Sequence, residues 1–172
     1  LQVSHVLRMS TGDEISLLDN SGKEHRVRIK GFGKGFVEGE VLHTQEREGE
    51  PTTKVILYQA LLKGEKFEWV LQKCTELGVS EFAPIISQRS IPQQRAERQT
   101  TRYRRWSRII AEAAEQSGRC LLPELRNPAS FKEACDGIDE GDVSLIPWER
   151  EDSTQLRSLI RGEGSEHVSI FI

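Results

Sequence analysis

The chain has 172 residues, which is enough for one or two compact domains, and a net charge of −3. The charges are unevenly spread, because seven arginines and one acid lie at positions 89–108, whereas nine acids and three arginines lie at positions 133–163. We therefore expect a basic side and an acidic side. The three cysteines form no CxxC pair and the four histidines form no HExxH motif, so we expect reduced thiols and no structural metal. The sequence contains no apolar run of about 18 residues, and a cytoplasmic protein without a membrane span is the default.

Residues 1–45 are predicted to form short strands separated by turns. The segment DNSG at 19–22 lies between two alternating segments and predicts a hairpin turn. The segment RVRIK at 26–30 alternates three cations with two β-branched residues, so the cations share one face of a strand. We therefore predict a small β-barrel whose outer face carries cations opposite no acids. GFGKG at 31–35 opens no helix, and we interpret it as a turn.

The polar segment 46–53 is predicted to be a linker, after which residues 54–172 alternate strands with helices. KVILYQALL (54–62) and EFAPIIS (81–87) are apolar runs of strand length, and Trp106 begins a helical stripe that we assign to the core. NP at 127–128 and a capping box at 130–133 offer two alternative starts for the next helix. The predicted fold class is therefore α/β, with a parallel sheet covered on both faces.

Parallel sheets bind ligands beyond the carboxyl ends of their strands. This rule selects Lys63 and Lys66 after the first strand, Arg89 after the second strand, and Pro147, Trp148 and Glu149 after a later strand. The helix that ends in AEAAEQSGR (111–119) has its C-terminus at the opposite edge of the sheet in a standard crossover. Simple geometry therefore places Gln116 and Arg119 away from the strand ends.

Three segments together resemble the RsmE family of SPOUT-class methyltransferases, which methylate N3 of a uridine in 16S ribosomal RNA. They are HVLRMSTGDEISLLDNSG (5–22), KGEKFEWVLQKCTELGVSEFAPIISQRSI (63–91) and RWSRIIAEAAEQSGRCLLPEL (105–125). The resemblance implies a PUA-like RNA-binding β-barrel at 1–45, which we expect to be incomplete at its N-terminus, and a SPOUT methyltransferase domain at 54–172, which we expect to be incomplete at its C-terminus. It also implies a trefoil knot that holds S-adenosylmethionine, a homodimer, and the 16S rRNA of the small ribosomal subunit as partner.

One part of the family pattern is missing from the sequence. The glycine-rich GPEGG loop, and a later segment ending in a Leu-Arg-x-Glu-Thr type pattern, would lie beyond Ile172. We therefore expect the chain to be part of a longer protein and to lack the C-terminal knot segment. Most of the cofactor pocket is expected in the missing part.

The reaction implied by the resemblance sets the chemical demands on the site. Loss of the N3 proton leaves negative charge on the O2 and O4 oxygens of uracil, which a cation or an N–H donor would stabilise. The catalytic candidates are Arg89, Gln116 and Arg119. An ordinary surface arginine is the alternative for Arg89. Gln116 and Arg119 either brace the far edge of the sheet or reach a site through a nonstandard turn or the partner subunit.

The resemblance places the first wall of the cofactor pocket at Pro147, Trp148 and Glu149, although an aromatic residue there is equally expected in a core or an interface. The RNA-binding candidates are cations of both predicted domains: Arg8, Arg26, Arg28, Lys30, Lys34, Lys63, Lys66, Arg95, Arg102 and Arg105. For the cations of the first domain and for Lys63 and Lys66, the alternative is a solvated surface charge. For Arg95, Arg102 and Arg105, it is a basic helix face that covers a core stripe.

The leading hypothesis is an S-adenosylmethionine-dependent RNA methyltransferase, and there are two alternative functions from other classes. One is a non-catalytic RNA-binding α/β protein. The other is an α/β nucleotide-binding enzyme, for which the sequence offers no phosphate-binding loop. Binding of S-adenosylmethionine by the full-length protein separates the first function from the second.

Overall fold

The computed structural model describes residues 2–47, 49–87, 96–138, 142–152, 154–160 and 166–172. The chain divides into two compact units, Leu1–Gly49 and Glu50–Ile172. The boundary falls inside the segment 46–53 that the sequence predicts to be a linker.

The first unit is an antiparallel sheet with the strand order β1-β2-β3. Its elements are α1 (Gln2–His5), β1 (Glu14–Leu18), β2 (Lys23–Phe32) and β3 (Val37–Glu46). The predicted turn joins β1 to β2, where Asn20 and Gly22 have positive φ angles of 65° and 83°. The carboxylate of Asp19 accepts a hydrogen bond from the Ser21 main-chain N–H, which fixes this turn. The described residues of this unit form an open three-stranded sheet, and the predicted barrel stays a prediction.

The second unit is a parallel α/β sheet, as predicted. Its elements are β4 (Lys54–Ala60), α2 (Lys66–Glu76), β5 (Glu81–Ile86), α3 (Ala96–Ser117), β6 (Glu124–Leu125), β7 (Ala129–Ser130), α4 (Phe131–Asp136), β8 (Val143–Leu145), α5 (Leu156–Ile160) and β9 (His167–Phe171). The order of the described strands is β6-β5-β4-β9-β8, and β7 also pairs with β5. All of these pairs are parallel. Of the two predicted starts for α4, the capping box between Ser130 and Glu133 is the one used.

Side chains pack against both faces of this sheet, as predicted for a parallel sheet. Helices α2 and α3 cover one face, where Phe67 and Trp106 pack with ring centroids 4.6 Å apart. Trp106 is 3% exposed, so its assignment to the core is confirmed. On the other face, α4 contributes Ala134, and Tyr58 stacks on Phe171 with centroids 4.3 Å apart.

The order of the strands creates a topological switch point between β4 and β9. The chain runs from β4 outward to β5 and β6, and it later returns through β8 on the opposite side to β9, which lies beside β4. Open α/β sheets bind ligands at such a point, outside the carboxyl ends of the strands. The ends of β4 and β9, at Ala60 and Phe171, therefore mark the candidate site.

Candidate functional site

The ends of β4 and β9 are held together by main-chain hydrogen bonds. The N–H of Ala60 donates to the carbonyl oxygen of Ile172 at 2.7 Å, and the N–H of Ile172 donates to that of Tyr58 at 2.9 Å. The side chain of Gln59 is 5% exposed, and its Nε2 donates to the carbonyl oxygens of Ala60 and Ile172 at 3.1 and 3.2 Å. Sequence reasoning missed Gln59, although a single amide within the apolar run 55–62 is a signal that could have found it.

The predicted cofactor wall follows β8 at the same edge of the sheet. Strand β8 ends at Leu145 and pairs in parallel with β9, so the segment Pro147–Glu149 leaves the sheet at the carboxyl ends of the strands. Trp148 is 63% exposed and the preceding Ile146 is 66% exposed. Trp148 is therefore not a core residue of this chain. The remaining alternatives are that Trp148 contacts a ligand or lies in an interface.

Lys63 and Lys66 lie where β4 leads into α2. Both side chains are exposed, and Lys66 is the first residue of the helix. Gly64 has a φ of +68°, which allows the tight turn between them. The N-cap residue, Glu65, makes no side-chain capping bond among the described residues. The N–H groups of the first turn of α2 therefore lack a side-chain cap at the edge where ligands bind.

Arg89 and Arg95 lie outside the described residues. They belong to the segment 88–95, which follows β5 and precedes α3. Their roles therefore stay predictions from the sequence.

Arg119 lies at the other edge of the sheet. Its side chain is 9% exposed and forms an ion pair with Glu50, with Nη2 2.7 Å from Oε2. Its Nη1 donates to the carbonyl oxygens of Val79 and Thr75 at 2.5 and 3.3 Å. Since Glu50 precedes β4 and Val79 precedes β5, these partners lie at the amino ends of the strands. Within this chain, Arg119 has the geometry of a residue that braces the far edge. A catalytic role at a site that the partner subunit completes stays a prediction from the sequence.

Gln116 lies in the last turn of α3, close in sequence to Arg119, and its side chain is exposed. The end of α3 is at the amino edge of the sheet, because Arg119 bonds there directly. Gln116 therefore does not join the strand ends within this chain, which is the outcome that simple crossover geometry predicts.

Glu50 gathers four donors on one carboxylate, although the sequence places it in a linker. Arg119 donates through Nε and Nη2 to Oε2, and the main-chain N–H groups of Cys120 and Leu121 donate to Oε1 at 2.8 and 3.1 Å. Burial raises the pKa of the Glu50 carboxyl, but the bonds from Arg119 and from the two N–H groups lower this pKa more, so it lies below the ordinary value of 4.5. The Glu50 carboxylate therefore accepts these four hydrogen bonds in its ionised form.

The polar face of the first unit is neutralised by carboxylates. Glu14 on β1 pairs with both Arg26 and Arg28 at 2.9 Å, and Glu40 on β3 pairs with Lys30 at 2.8 Å. The prediction of cations opposite no acids is therefore wrong. The register of the antiparallel sheet brings acids of the neighbouring strands onto the same face, and the sequence of β2 alone does not contain this information.

The other predicted RNA-binding cations differ in whether another side chain of the protein already contacts them. Arg8 and Lys34 are exposed in the first unit. On α3, Arg105 pairs with Glu68 at 2.6 Å, and the guanidinium of Arg102 lies 5.4 Å from the ring centroid of Trp106. Arg105 is thus compensated by an acid, and Arg102 covers a core aromatic residue.

The described part of the chain forms neither a metal centre nor a membrane span. No group of three or more His, Cys, Asp or Glu side chains there is arranged to hold a metal ion. Within the same ranges, no helix combines the length and the apolar character needed to cross a membrane.

Comparison with known proteins decides the family. Residues 48–172 match the family model of the RNA methyltransferase domain, and residues 5–42 match that of the RNA methyltransferase PUA domain. The fold also matches the crystal structure of a ribosomal RNA small subunit methyltransferase E from Neisseria gonorrhoeae bound to S-adenosyl methionine. That match has a TM-score of 0.86 and 30% identity, and it covers 99% of this chain and 70% of the other. This chain belongs to the ribosomal RNA small subunit methyltransferase E family.

Curated members of the ribosomal RNA small subunit methyltransferase E family support the assignment. The Bacillus subtilis member is 31% identical over 86% of this chain, and the Synechocystis member is 35% identical over 75%. These matches cover 57% and 41% of the two relatives, so the chain spans about half the length of the curated proteins that it resembles.

Proposed function

We propose that the protein transfers the methyl group of S-adenosylmethionine to N3 of a uridine in 16S ribosomal RNA. The observation that carries the proposal is the likeness, over 99% of the chain, to a methyltransferase whose crystal structure holds S-adenosyl methionine. The names of the curated relatives support small-subunit ribosomal RNA as the substrate.

The carboxyl edge of the parallel sheet fits this cofactor chemically. Ile146 and Trp148, exposed by 66% and 63%, offer an apolar and aromatic surface of the kind that holds an adenine ring. The uncapped N–H groups at the start of α2 offer partners for a carboxylate. When bound, S-adenosylmethionine supplies an electrophilic methyl group. Within this chain, Pro147, Trp148 and Glu149 are the residues that would hold it.

The substrate side of the reaction needs cations near the strand ends. Lys63 and Lys66 follow β4 directly, and both are exposed, so they can contact the RNA backbone beside the cofactor edge. Arg89 follows β5 in the sequence and keeps its proposed role of stabilising the charge that develops on the uracil oxygens. Arg119 forms its bonds at the other edge of the sheet, so we rank it below Arg89 for this role.

The cations of the first unit differ in their suitability for RNA. Arg26, Arg28 and Lys30 must exchange a carboxylate partner for a phosphate, which reduces the gain from binding. Arg8 and Lys34 are exposed and form no ion pair with another described residue, so they are the stronger candidates in this unit. On α3, Arg102 and Arg105 are already engaged, and Arg95 remains a proposal from the sequence.

We also propose the finer architecture that the resemblance implies. Residues 1–45 would be the PUA-like RNA-binding unit, 46–53 the linker, and 54–172 part of a SPOUT domain of the trefoil-knot type. The match of residues 5–42 to the PUA model supports the first assignment. The expected assembly is a homodimer, and light scattering of the full-length protein tests it: a mass equal to one chain would contradict the homodimer.

The function is tested in two steps on the full-length protein. Calorimetry measures binding of S-adenosylmethionine, with S-adenosylhomocysteine as a comparison ligand that cannot donate a methyl group. Methyl transfer is then measured on small ribosomal subunits that lack the modification, and we expect 3-methyluridine in the digested 16S rRNA. If the protein binds RNA but neither S-adenosylmethionine nor S-adenosylhomocysteine, the result would instead support a non-catalytic RNA-binding α/β protein.

A further inference from the structure

Gln59 is a buried amide in an otherwise apolar part of the central strand. Side chains alternate along a strand, so Gln59 shares with Leu57 the face that α2 and α3 cover. It is only 5% exposed, whereas glutamine is mostly a surface residue. A buried amide is costly unless it is hydrogen bonded, so its bonds determine what it contributes.

The amide nitrogen of Gln59 joins the ends of two neighbouring strands. It donates to the carbonyl oxygen of Ala60, at the end of β4, at 3.1 Å, and to that of Ile172, immediately after β9, at 3.2 Å. The Ile172 oxygen also accepts the N–H of Ala60 at 2.7 Å. Both lone pairs of the Ile172 oxygen therefore have donors, and the orientation of this peptide group is fixed from two sides.

The strands that Gln59 joins are those of the switch point. The main chains of β4 and β9 pair as an ordinary parallel ladder, which ends with Tyr58 opposite Phe171. Beyond that pair, Ala60 and Ile172 continue the main-chain ladder, and Gln59 supplies a side-chain bond at the same level. The side chain thus acts at the carboxyl ends of the two strands, where the ligand crevice opens.

We propose that Gln59 is a positioning residue for the cofactor crevice: it sets the spacing and the peptide orientation at the ends of β4 and β9. This proposal rests on the proposed methyltransferase function. Gln59 itself need not touch the cofactor, because its amide is directed to main-chain carbonyls. Its loss should therefore weaken binding at the sheet edge without changing how the protein binds RNA.

The test compares two substitutions of similar size in the full-length protein. Gln59→Met keeps the length of the side chain and removes the N–H donors. Gln59→Glu keeps the shape but directs carboxylate oxygens at two carbonyl oxygens. We expect the dissociation constant for S-adenosylmethionine to rise about ten-fold in Gln59→Met and at least as much in Gln59→Glu. The dissociation constant for 16S rRNA should stay within about two-fold of the wild-type value.

Thr75→Val is the matched control. Thr75 is 0% exposed in α2, and its hydroxyl has no hydrogen-bond partner in the described part of the chain, so this variant also removes a buried polar group. The main-chain oxygen of Thr75 accepts from Arg119, which places the residue at the opposite edge of the sheet. We expect Thr75→Val to bind S-adenosylmethionine as the wild type does.

The outcomes separate this proposal from the function on which it rests. Wild-type affinity for S-adenosylmethionine in both Gln59 variants would overturn the positioning role while leaving the function in place. A parallel loss of cofactor binding, RNA binding and thermal stability would also overturn it, because it would indicate a general structural role. A wild-type protein that does not bind S-adenosylmethionine would overturn both. If Gln59→Met does not fold, Gln59→Asn, which shortens the side chain by one methylene, replaces it. We expect Gln59→Asn to weaken binding of S-adenosylmethionine and to leave binding of 16S rRNA unchanged.

Discussion

Arg119 and Glu50, which are 69 residues apart in the sequence, form a two-pronged ion pair at the amino edge of the parallel sheet. The pair connects the end of α3 to the segment that enters β4, and Arg119 also binds the carbonyl oxygen of Val79 just before β5. One side chain thus ties together three separate parts of the second unit. This geometry gives the arginine that follows the alanine-rich helix a structural role that does not depend on catalysis.

Replacement of Arg119 should cost stability and leave cofactor binding unchanged. Arg119→Ala leaves the Glu50 carboxylate partly buried with only its two main-chain donors and leaves the Val79 carbonyl without this partner. We expect a loss of roughly 3 kcal/mol in the free energy of unfolding, measured by urea denaturation. Arg108→Ala is the control, since Arg108 forms an exposed pair with Glu112 and its loss should change little. A stable Arg119→Ala protein that no longer binds S-adenosylmethionine would contradict the bracing role.

The same pair predicts a dependence of stability on pH. Because the pKa of Glu50 is lowered on folding, its contribution is fully present above the unfolded value near 4.5 and is lost as the pH falls through the lower folded pKa. Unfolding free energies of the wild type and of Glu50→Gln, measured from pH 7 to pH 3, should therefore differ most at neutral pH. The difference should shrink below about pH 4.5. A difference that stays constant over this range would show that the carboxylate charge is not what stabilises the contact.

The pattern of apolar residues was sufficient to predict the framework of the second unit. Runs such as KVILYQALL and the stripe that begins at Trp106 are local signals, because burial on a strand or a helix is repeated every few residues. The capping box at Ser130 is equally local, and α4 begins there. The parallel sheet and the core position of Trp106 were therefore predictable.

Contacts between distant segments were not predictable in this way. The pairing of Glu14 with Arg26 depends on the register between two strands, and the bond from Gln59 to Ile172 depends on the order of strands in the sheet. Neither the register nor the order of the strands can be predicted from a single stretch of sequence. The prediction of a basic face was wrong for this reason, while the candidate site at the strand ends stays a prediction from a rule about topology.

If the polar face of the first unit binds RNA, removal of its central acid should strengthen binding. Glu14→Gln releases Arg26 and Arg28 from their carboxylate partner, so both cations become available to phosphates. We expect a higher affinity for 16S rRNA at low salt and a steeper fall with increasing salt, by about one unit of slope on logarithmic axes. Filter binding over a range of salt concentrations measures both quantities. Asp152→Asn, an equal change of charge at an exposed position of the second unit, is the control. Equal affinities in Glu14→Gln and the wild type would leave this face without an RNA-binding role.

Trp148 should report directly on the cofactor. Trp69 on α2 is exposed to the same extent, at 63%, and therefore provides a matched comparison. We expect titration with S-adenosylmethionine to change the tryptophan fluorescence of the wild type and of Trp69→Phe, and to change that of Trp148→Phe much less. The affinity of Trp148→Phe should also fall several-fold, because phenylalanine offers a smaller stacking surface. Identical titrations of the two variants would remove Trp148 from the cofactor wall.

Gly78 should be sensitive to the smallest side chain, because two constraints meet there. It ends α2 with a φ of +99°, which L residues with a side chain rarely adopt, and a Cβ would lie 2.7 Å from Cγ of Pro51. Gly78→Ala is therefore expected to destabilise the second unit by roughly 2 kcal/mol, measured as the shift in the urea midpoint. Gly64→Ala is the control in the same unit, since Gly64 also has a positive φ, of +68°, but nothing lies within 4 Å of its Cβ position. A larger loss in Gly78→Ala than in Gly64→Ala isolates the contact with Pro51, which packs the segment after Glu50 against the end of α2. Equal losses would assign the whole effect to the backbone angle and would leave the ion pair with Arg119 as the main anchor of that segment.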